Sequence, residues 1–284
     1  MKIHILKNQS FCNGVTRALK IAEEASKNKA LTRPIYLLGN LIHNTHINSY
    51  IASLGIIQLE GTSRLQMLQS IDEGTVIFTA HGVSDKVKKQ AISQGLNIID
   101  ATCPVVRKSE ELIKEYSKKG YTILFIGKKT HPESLTVIDD INDSYIIDPL
   151  NPIIPDDLTN VAVAHQTTMS GYDINHIYDI IKEKYPDSVK LPVLCNITEK
   201  RQKELIDLDI NVDKPLIIVI GDKLSNNSTK LYEQAERKAP ALFISDKDEL
   251  DLDYIKNFEN IFIASGTSTP QYVIDEIINV LKKL

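Results

Sequence analysis

Three times along this chain a short apolar segment runs through a turn carrying a cysteine and into an amphipathic stretch. The three cysteines, Cys12, Cys103 and Cys195, lie 91 and 92 residues apart. KIHIL leads through a loop to Phe11-Cys12-Asn13-Gly14 and then VTRALKIAEEASK. LNIIDA leads to Thr102-Cys103-Pro104 and then VVRKSEELIKEYSKK, and LPVL leads to Cys195-Asn196 and then ITEKRQKELIDL. Between these points the runs PIYLLG, TVIFTA, YTILFIG, NVAVAH, PLIIVIG, ALFIS and NIFIAS alternate with segments of helical period, such as SDKVKKQAISQ, INHIYDIIKEKY, TKLYEQAERKA and YVIDEIINVLKKL. Strands apolar on both faces and separated by helices imply parallel sheets in α/β layers. A length of 284 residues suits two domains or three small ones. The near-equal intervals favour three α/β units related by pseudo-threefold symmetry: 13–102, 103–194, and 195–284 together with 1–12. In the third unit, residues 3–6 would complete the sheet, because they precede the first cysteine as the other strands precede theirs. Two ordinary doubly wound domains are the simpler alternative.

No apolar run reaches the roughly 18–20 residues that a spanning helix needs. The opening MKIHILKNQS lacks the apolar stretch of a secretory signal, so a cytoplasmic protein is expected, with no membrane partner. The 33 basic and 37 acidic residues are well mixed, for a net charge of −4. That leaves no basic footprint for nucleic acid but allows an anionic small ligand in a locally positive pocket. Three cysteines without a secretory signal argue against a disulfide framework.

In open α/β sheets, ligands bind beyond the carboxyl ends of the strands. Reading only those ends gives nine polar segments, three per unit: FCNG, LIHN and AHGVS; ATCP, THPES and HQTT; LCNITE, LSNNS and SGTSTP. A pseudo-threefold axis would turn all nine towards one central cavity. His43, His81 and His131 each sit beside Gly, Asn or Pro in a strand-to-helix loop, a placement that suits donors to an anion. Ser225, Asn227 and Ser268 stand where loops open helices and add donors for phosphate oxygens, although N-capping would explain any one of them alone. Glu133 is the one carboxylate in the His-rich loops and a candidate proton donor; charge complementarity at a helix start is its simpler role. His4, His46 and His176 read as structural, and His165 beside Gln166 is left open.

A helix N-terminus favours the thiolate form of cysteine. Three thiolates could hold a zinc ion with one open position, or an iron–sulfur cluster with one iron free of protein ligand. Three inert buried thiols are the alternative.

Taken in order, FCNGV, LIHN, AHGVS, DATCP, HPE, QTT, CxxTxxRQ (Cys195–Gln202), SNNS and SGTSTP resemble the LytB family, the 4-hydroxy-3-methylbut-2-enyl diphosphate reductases. The resemblance runs from about Phe11 to the C-terminus. It implies a trefoil of three α/β units with parallel-rich sheets around a central iron–sulfur cavity, where Cys12, Cys103 and Cys195 hold a [4Fe–4S] cluster. It also implies two-electron reductive dehydroxylation of an allylic diphosphate to isopentenyl and dimethylallyl diphosphates. That is the last step of the methylerythritol phosphate route to isoprenoids, with electrons from a donor such as ferredoxin or flavodoxin. His43, His81, Ser225, Asn226, Asn227 and Ser268 would hold the diphosphate, with His131 and Thr167 close by. Glu133 and Thr167, with His131, would pass a proton to the leaving hydroxyl.

Three departures bear on efficiency more than on reaction type. Asn226 stands where the family pattern has a second Ser, Asn40 replaces Pro or Glu, and Thr198-Glu199-Lys200 differs. A non-catalytic iron–sulfur sensor on the same scaffold is the alternative function. Glu133 and Thr167 speak against it, since a sensor needs no proton relay.

Overall fold

Every strand pairing within the sheets is parallel. The structure, a computed structural model, describes residues 1–42, 44–61, 63–192 and 195–284. The chain divides into two compact units.

The first unit comprises Met1–Val15, Ile42–Ile47 and Asn196–Leu284. Its sheet contains β1 (Lys2–Ile5), β10 (Pro215–Ile220), β11 (Ala241–Ile244) and β12 (Asn260–Ser265), in the order β1-β12-β10-β11. The two central strands are buried on both faces, as the runs PLIIVIG and NIFIAS require. Ile218, Ile220, Ile261 and Ile263 pack against Ile274 and Ile277 of α11 (Gln271–Leu281). On the other face, Ile217, Val219 and Phe262 meet Leu205 of α8 (Asn196–Ile206) and Leu231 and Ala235 of α9 (Asn226–Glu236). A short helix, α10 (Leu252–Ile255), precedes β12.

The second unit comprises Thr16–Leu41 and Asn48–Cys195 and carries two sheets. One is ordered β3-β2-β4-β5, from β2 (Ile35–Leu38), β3 (Ile56–Leu59), β4 (Thr75–Phe78) and β5 (Asn97–Asp100). The other is ordered β7-β6-β8-β9, from β6 (Thr122–Ile126), β7 (Ser144–Ile147), β8 (Val161–His165) and β9 (Val189–Lys190). Its helices are α3 (Arg64–Gln69), α4 (Asp85–Ser93), α5 (Pro104–Lys118), α6 (Pro132–Asp140) and α7 (Gly171–Lys184). Two more, α1 (Asn13–Lys27) and α2 (Thr45–Ser53), begin in residues of the first unit and end in the second.

The three sheets share one topology. In each, the first strand lies second from one edge, the next strand is that edge, the third pairs with the first, and the fourth is the far edge. β5 and β9 are fourth strands in the second unit, and β1 takes that place beside β12 in the first. Each cysteine follows a fourth strand, so the expected α/β class with three parallel sheets holds. Among the described residues, β9 is Val189–Lys190, just ahead of the apolar run LPVL, and Leu191 N adds one more bond to Val163 O at 2.8 Å. Pro192 has no N–H with which to continue the ladder, and Val193 and Leu194 lie outside the described residues.

Candidate active site

Glu133 is the second residue of α6, and its carboxylate is buried. Pro132 occupies the first helical position, where a missing N–H costs nothing. His131 caps the helix, its Nδ1 accepting from Glu133 N at 3.2 Å. Thr167, just beyond β8, donates its backbone N–H to Glu133 Oε2 and its hydroxyl to Oε1, each at 2.8 Å. From beyond β4, His81 places Nδ1 3.9 Å from Glu133 Oε1, and its ring meets His131 edge to face with centroids 5.1 Å apart. His81, His131 and Glu133 thus bring one donor atom each within 4.8 Å of one another. Burial by itself would raise the Glu133 pKa. The His81 hydrogen bond, the charges of His131 and His81, and the Thr167 N–H outweigh it and hold the carboxyl below its ordinary value. The site therefore favours the ionised form of Glu133, the form that can accept a proton. His165, at the end of β8, is buried with Nδ1 against Gln166 O at 3.2 Å, and burial lowers its pKa.

In the first unit, the loops after β10 and β12 meet at the start of α9. Ser225 caps that helix, accepting from Ser228 N, and Ser268 donates to Ser225 Oγ at 3.4 Å. Ser228 Oγ fills the places that a Cβ at Gly221 or Gly266 would take, so both loops can close onto the helix only as glycine. Asn226 and Asn227 open the helix and are buried. Asn227 Nδ2 is buried with no hydrogen-bond partner among the described residues. Asp222 fastens the segment holding Asn44 to the same place: its Oδ2 accepts from Thr45 N at 2.8 Å and Thr45 Oγ1 at 2.6 Å, and its Oδ1 from Leu224 N. His43 lies outside the described residues.

The three cysteines are half-buried thiols in no disulfide, and each stands immediately before a helix: Cys12 before α1, Cys103 before α5, Cys195 before α8. Cys12 Sγ accepts from Val15 N at 3.5 Å and Cys12 N donates to Thr267 O at 3.0 Å. Cys103 N donates to Ala80 O at 2.9 Å, and Pro104 fills the first position of α5. Three thiols outside any disulfide are the donor type that an iron–sulfur cluster takes as ligands, so their chemistry fits such a group.

Sequence reasoning missed the residues that hold these loops. The buried Arg201 guanidinium donates to Ser265 O at 2.7 Å, to Gln9 O at 3.1 Å and to Ser10 O, tying the Cys12 loop to the loop of Ser268. Arg17 of α1 donates to Thr102 O at 3.1 Å, beside Cys103. Arg201 was visible as part of CxxTxxRQ; nothing in the local pattern marked Arg17 or Asp222. His4 stacks on Phe262, His46 meets Tyr272 edge to face, and His176 stacks on Tyr172, in keeping with structural roles.

A family model described as LytB protein matches residues 3–282. A protein of Anoxybacillus flavithermus named 4-hydroxy-3-methylbut-2-enyl diphosphate reductase is 39% identical over 288 residues, covering 100% of this chain and 91% of its own length. The same-named protein of Lysinibacillus sphaericus is 39% identical over 286 residues, covering 99% of this chain and 88% of its own. Among solved structures, the E-1-hydroxy-2-methyl-but-2-enyl-4-diphosphate reductase of Plasmodium falciparum superposes with a TM-score of 0.88 at 28% identity, covering 99% of this chain and 88% of that one. A second, (E)-4-hydroxy-3-methyl-but-2-enyl diphosphate reductase, described as the terminal enzyme of the non-mevalonate pathway, gives 0.69 at 26% identity with both chains fully covered.

Proposed function

The chain belongs to the LytB family, and on that footing we propose that it reduces 4-hydroxy-3-methylbut-2-enyl diphosphate to isopentenyl and dimethylallyl diphosphates. The observation that carries the reading is the Glu133 carboxylate, gripped at both oxygens by Thr167 and faced by two histidines. Cys12, Cys103 and Cys195 would hold a [4Fe–4S] cluster, which when bound would pass on, one at a time, the electrons that the donor supplies and would offer a Lewis-acidic iron for the substrate hydroxyl. A small one-electron protein such as ferredoxin or flavodoxin would feed it.

The chain's own part is binding and proton traffic. Ser225, Asn226, Asn227 and Ser268 at the start of α9 offer amide, hydroxyl and helix N–H donors to the diphosphate. His81, with His43, would add charge-assisted donors. Expulsion of hydroxide from carbon is slow at neutral pH, so the leaving oxygen must be protonated as its bond breaks. Thr167 and Glu133 provide that path: Glu133 takes a proton from the histidines and the Thr167 hydroxyl hands one to the leaving oxygen, regaining its own from Glu133.

The test is anaerobic reconstitution with iron and sulfide, followed by turnover with reduced methyl viologen and chromatography of the products. About four irons per chain and both five-carbon diphosphates are expected. A colourless, zinc-loaded, iron-free protein, or a reconstituted brown one that leaves the substrate intact, would overturn the reading.

A further inference from the structure

On the far side of the His81 turn lies a second carboxyl group that the relay above does not use. Glu110 sits on α5, in the helix that Cys103 opens, and its Oε1 is buried with no hydrogen-bond partner among the described residues. That oxygen occupies the place a Cβ would take at Gly82, the residue after His81; only glycine, at φ +75°, fits the turn there. Arg64 of α3 donates to the Gly82 carbonyl and to Thr79 Oγ1, fixing the turn from its other side. Glu110 also lines a cleft of about 300 Å³ together with Asp85, Lys88, Asp100, Arg107, Glu111 and Lys114. A half-buried carboxyl, one oxygen of it fully buried, thus stands between a charged cleft and the turn that carries His81 to Glu133.

We propose that Glu110 is a positioning residue for the proton: it holds one for Glu133 and is refilled from water in the cleft. The inference rests on the reading of Glu133 as the proton carrier. Replacing C–OH by C–H takes up two electrons, supplied by the reductant, and two protons, and releases water. When Glu133 has passed a proton on, the Glu110 carboxyl releases its own towards His81, whose Nδ1 faces Glu133 Oε1, and the resulting Glu110 carboxylate takes a proton from cleft water. The charges around Glu110 are those of Lys88 on α4, Lys114 on its own helix, Glu133 and Asp140 on α6, and Arg64 on α3. Burial is the largest influence and raises its pKa to about 7, the lysines pull it back, and Glu133 and Asp140 push it further up. The surroundings thus favour the protonated form at Glu110 and the ionised form at Glu133.

The experiment is the pH dependence of kcat and KM for cluster-loaded wild type, Glu110→Gln, Glu110→Asp and Glu133→Gln, with reduced methyl viologen as donor. The amide keeps the shape but carries no proton. Glu110→Gln should lower kcat about tenfold or more near pH 6 with KM unchanged. It should also abolish the wild-type fall in kcat as pH rises through about 7, and small acids such as imidazolium should restore part of the rate. Glu110→Asp, which retains an acid, should keep the pH limb, and this arm decides if Glu110→Gln fails to load its cluster. A slow Glu133→Gln beside a Glu110→Gln with the wild-type pH profile would overturn this proposal alone. A fast Glu133→Gln would remove the reading beneath it.

Discussion

Thr167 holds both oxygens of Glu133 at once, through its backbone N–H and its hydroxyl, each at 2.8 Å. The two residues come from different strand ends of one sheet: Glu133 from the loop after β6, Thr167 from the loop after β8. Because β6 and β8 are paired neighbours, the contact is fixed by sheet register, with Ile126 opposite His165. The carboxylate therefore has a set orientation before any substrate arrives.

Glu133→Gln is expected to bind substrate while turning over about 10²–10⁴-fold more slowly, the usual range for a lost proton-transfer group. Thr167→Val keeps the N–H to Oε2 and loses the hydroxyl. It should cut kcat by about tenfold or more and move the Glu133 pKa up, because a hydrogen bond to the charged form is gone. Steady-state kcat against pH checks both; near-wild-type turnover in Glu133→Gln would exclude the assigned role.

The buried Asn227 amide should be part of the diphosphate clamp. Asn227→Ala is expected to weaken inhibition by inorganic diphosphate by about tenfold, the worth of one hydrogen bond to a charged group. Asn226→Ser should leave that inhibition nearly unchanged, since either side chain can donate at the helix start. Competition assays on the loaded enzyme measure both; loss of binding in Asn226→Ser would mean that the pocket is tuned to another anion.

Arg201→Gln removes the buried guanidinium that ties Gln9, Ser10 and Ser265 together. Carbonyls left without partners cost about 1–3 kcal/mol each, so the melting temperature should fall clearly. Iron content per chain after anaerobic reconstitution should fall with it, because the Cys12 loop loses its anchor. Full iron retention with an unchanged melting curve would show that the clamp is dispensable.

Glu110 also makes stability pH-dependent. Its folded pKa, raised from 4.5 to about 7, means that its contribution is complete below 4.5 and is lost as pH rises through about 7. The loss is roughly 3 kcal/mol at about 1.4 kcal/mol per unit. Glu110→Gln does not titrate, so its melting temperature should gain on wild type between pH 5 and pH 8.5. A difference that is constant across that range would contradict the shift.

How much of this was legible beforehand depends on what makes each signal. The central strands announce themselves because burial on both faces demands unbroken apolar runs such as PLIIVI and TILFI. β3 (IIQL) and β7 (SYII) are edge strands with mixed burial, and their short, half-polar segments could not be told from loop. His81, His131 and Glu133 were readable as candidates because they lie just past strand ends, and Thr167 entered through the family resemblance. Glu110, Arg64 and Asp222 were not, since a helical Glu, a helical Arg and a loop Asp look like solvated charges. Only tertiary packing shows that Glu110 abuts Gly82 and that Asp222 grips Thr45. For Glu133, its place in the loop was readable but the lowering of its pKa was not, because that depends on the balance between burial and its interactions with His81, His131 and Thr167.

β1 is made first and placed last. Lys2 pairs with Asn260 and Ile5 with Ile263, so the leading strand leaves the ribosome long before its partner exists. Closing that loop makes the contact among the least local in the chain, and such contacts form late. Cys12 shares the delay, because the carbonyl that anchors its backbone belongs to Thr267. A nascent chain can fold around Cys103 while Cys12 is still untethered. C-terminal truncation short of β12 would therefore leave β1 without its pairing strand and the Cys12 backbone without the Thr267 carbonyl that holds it.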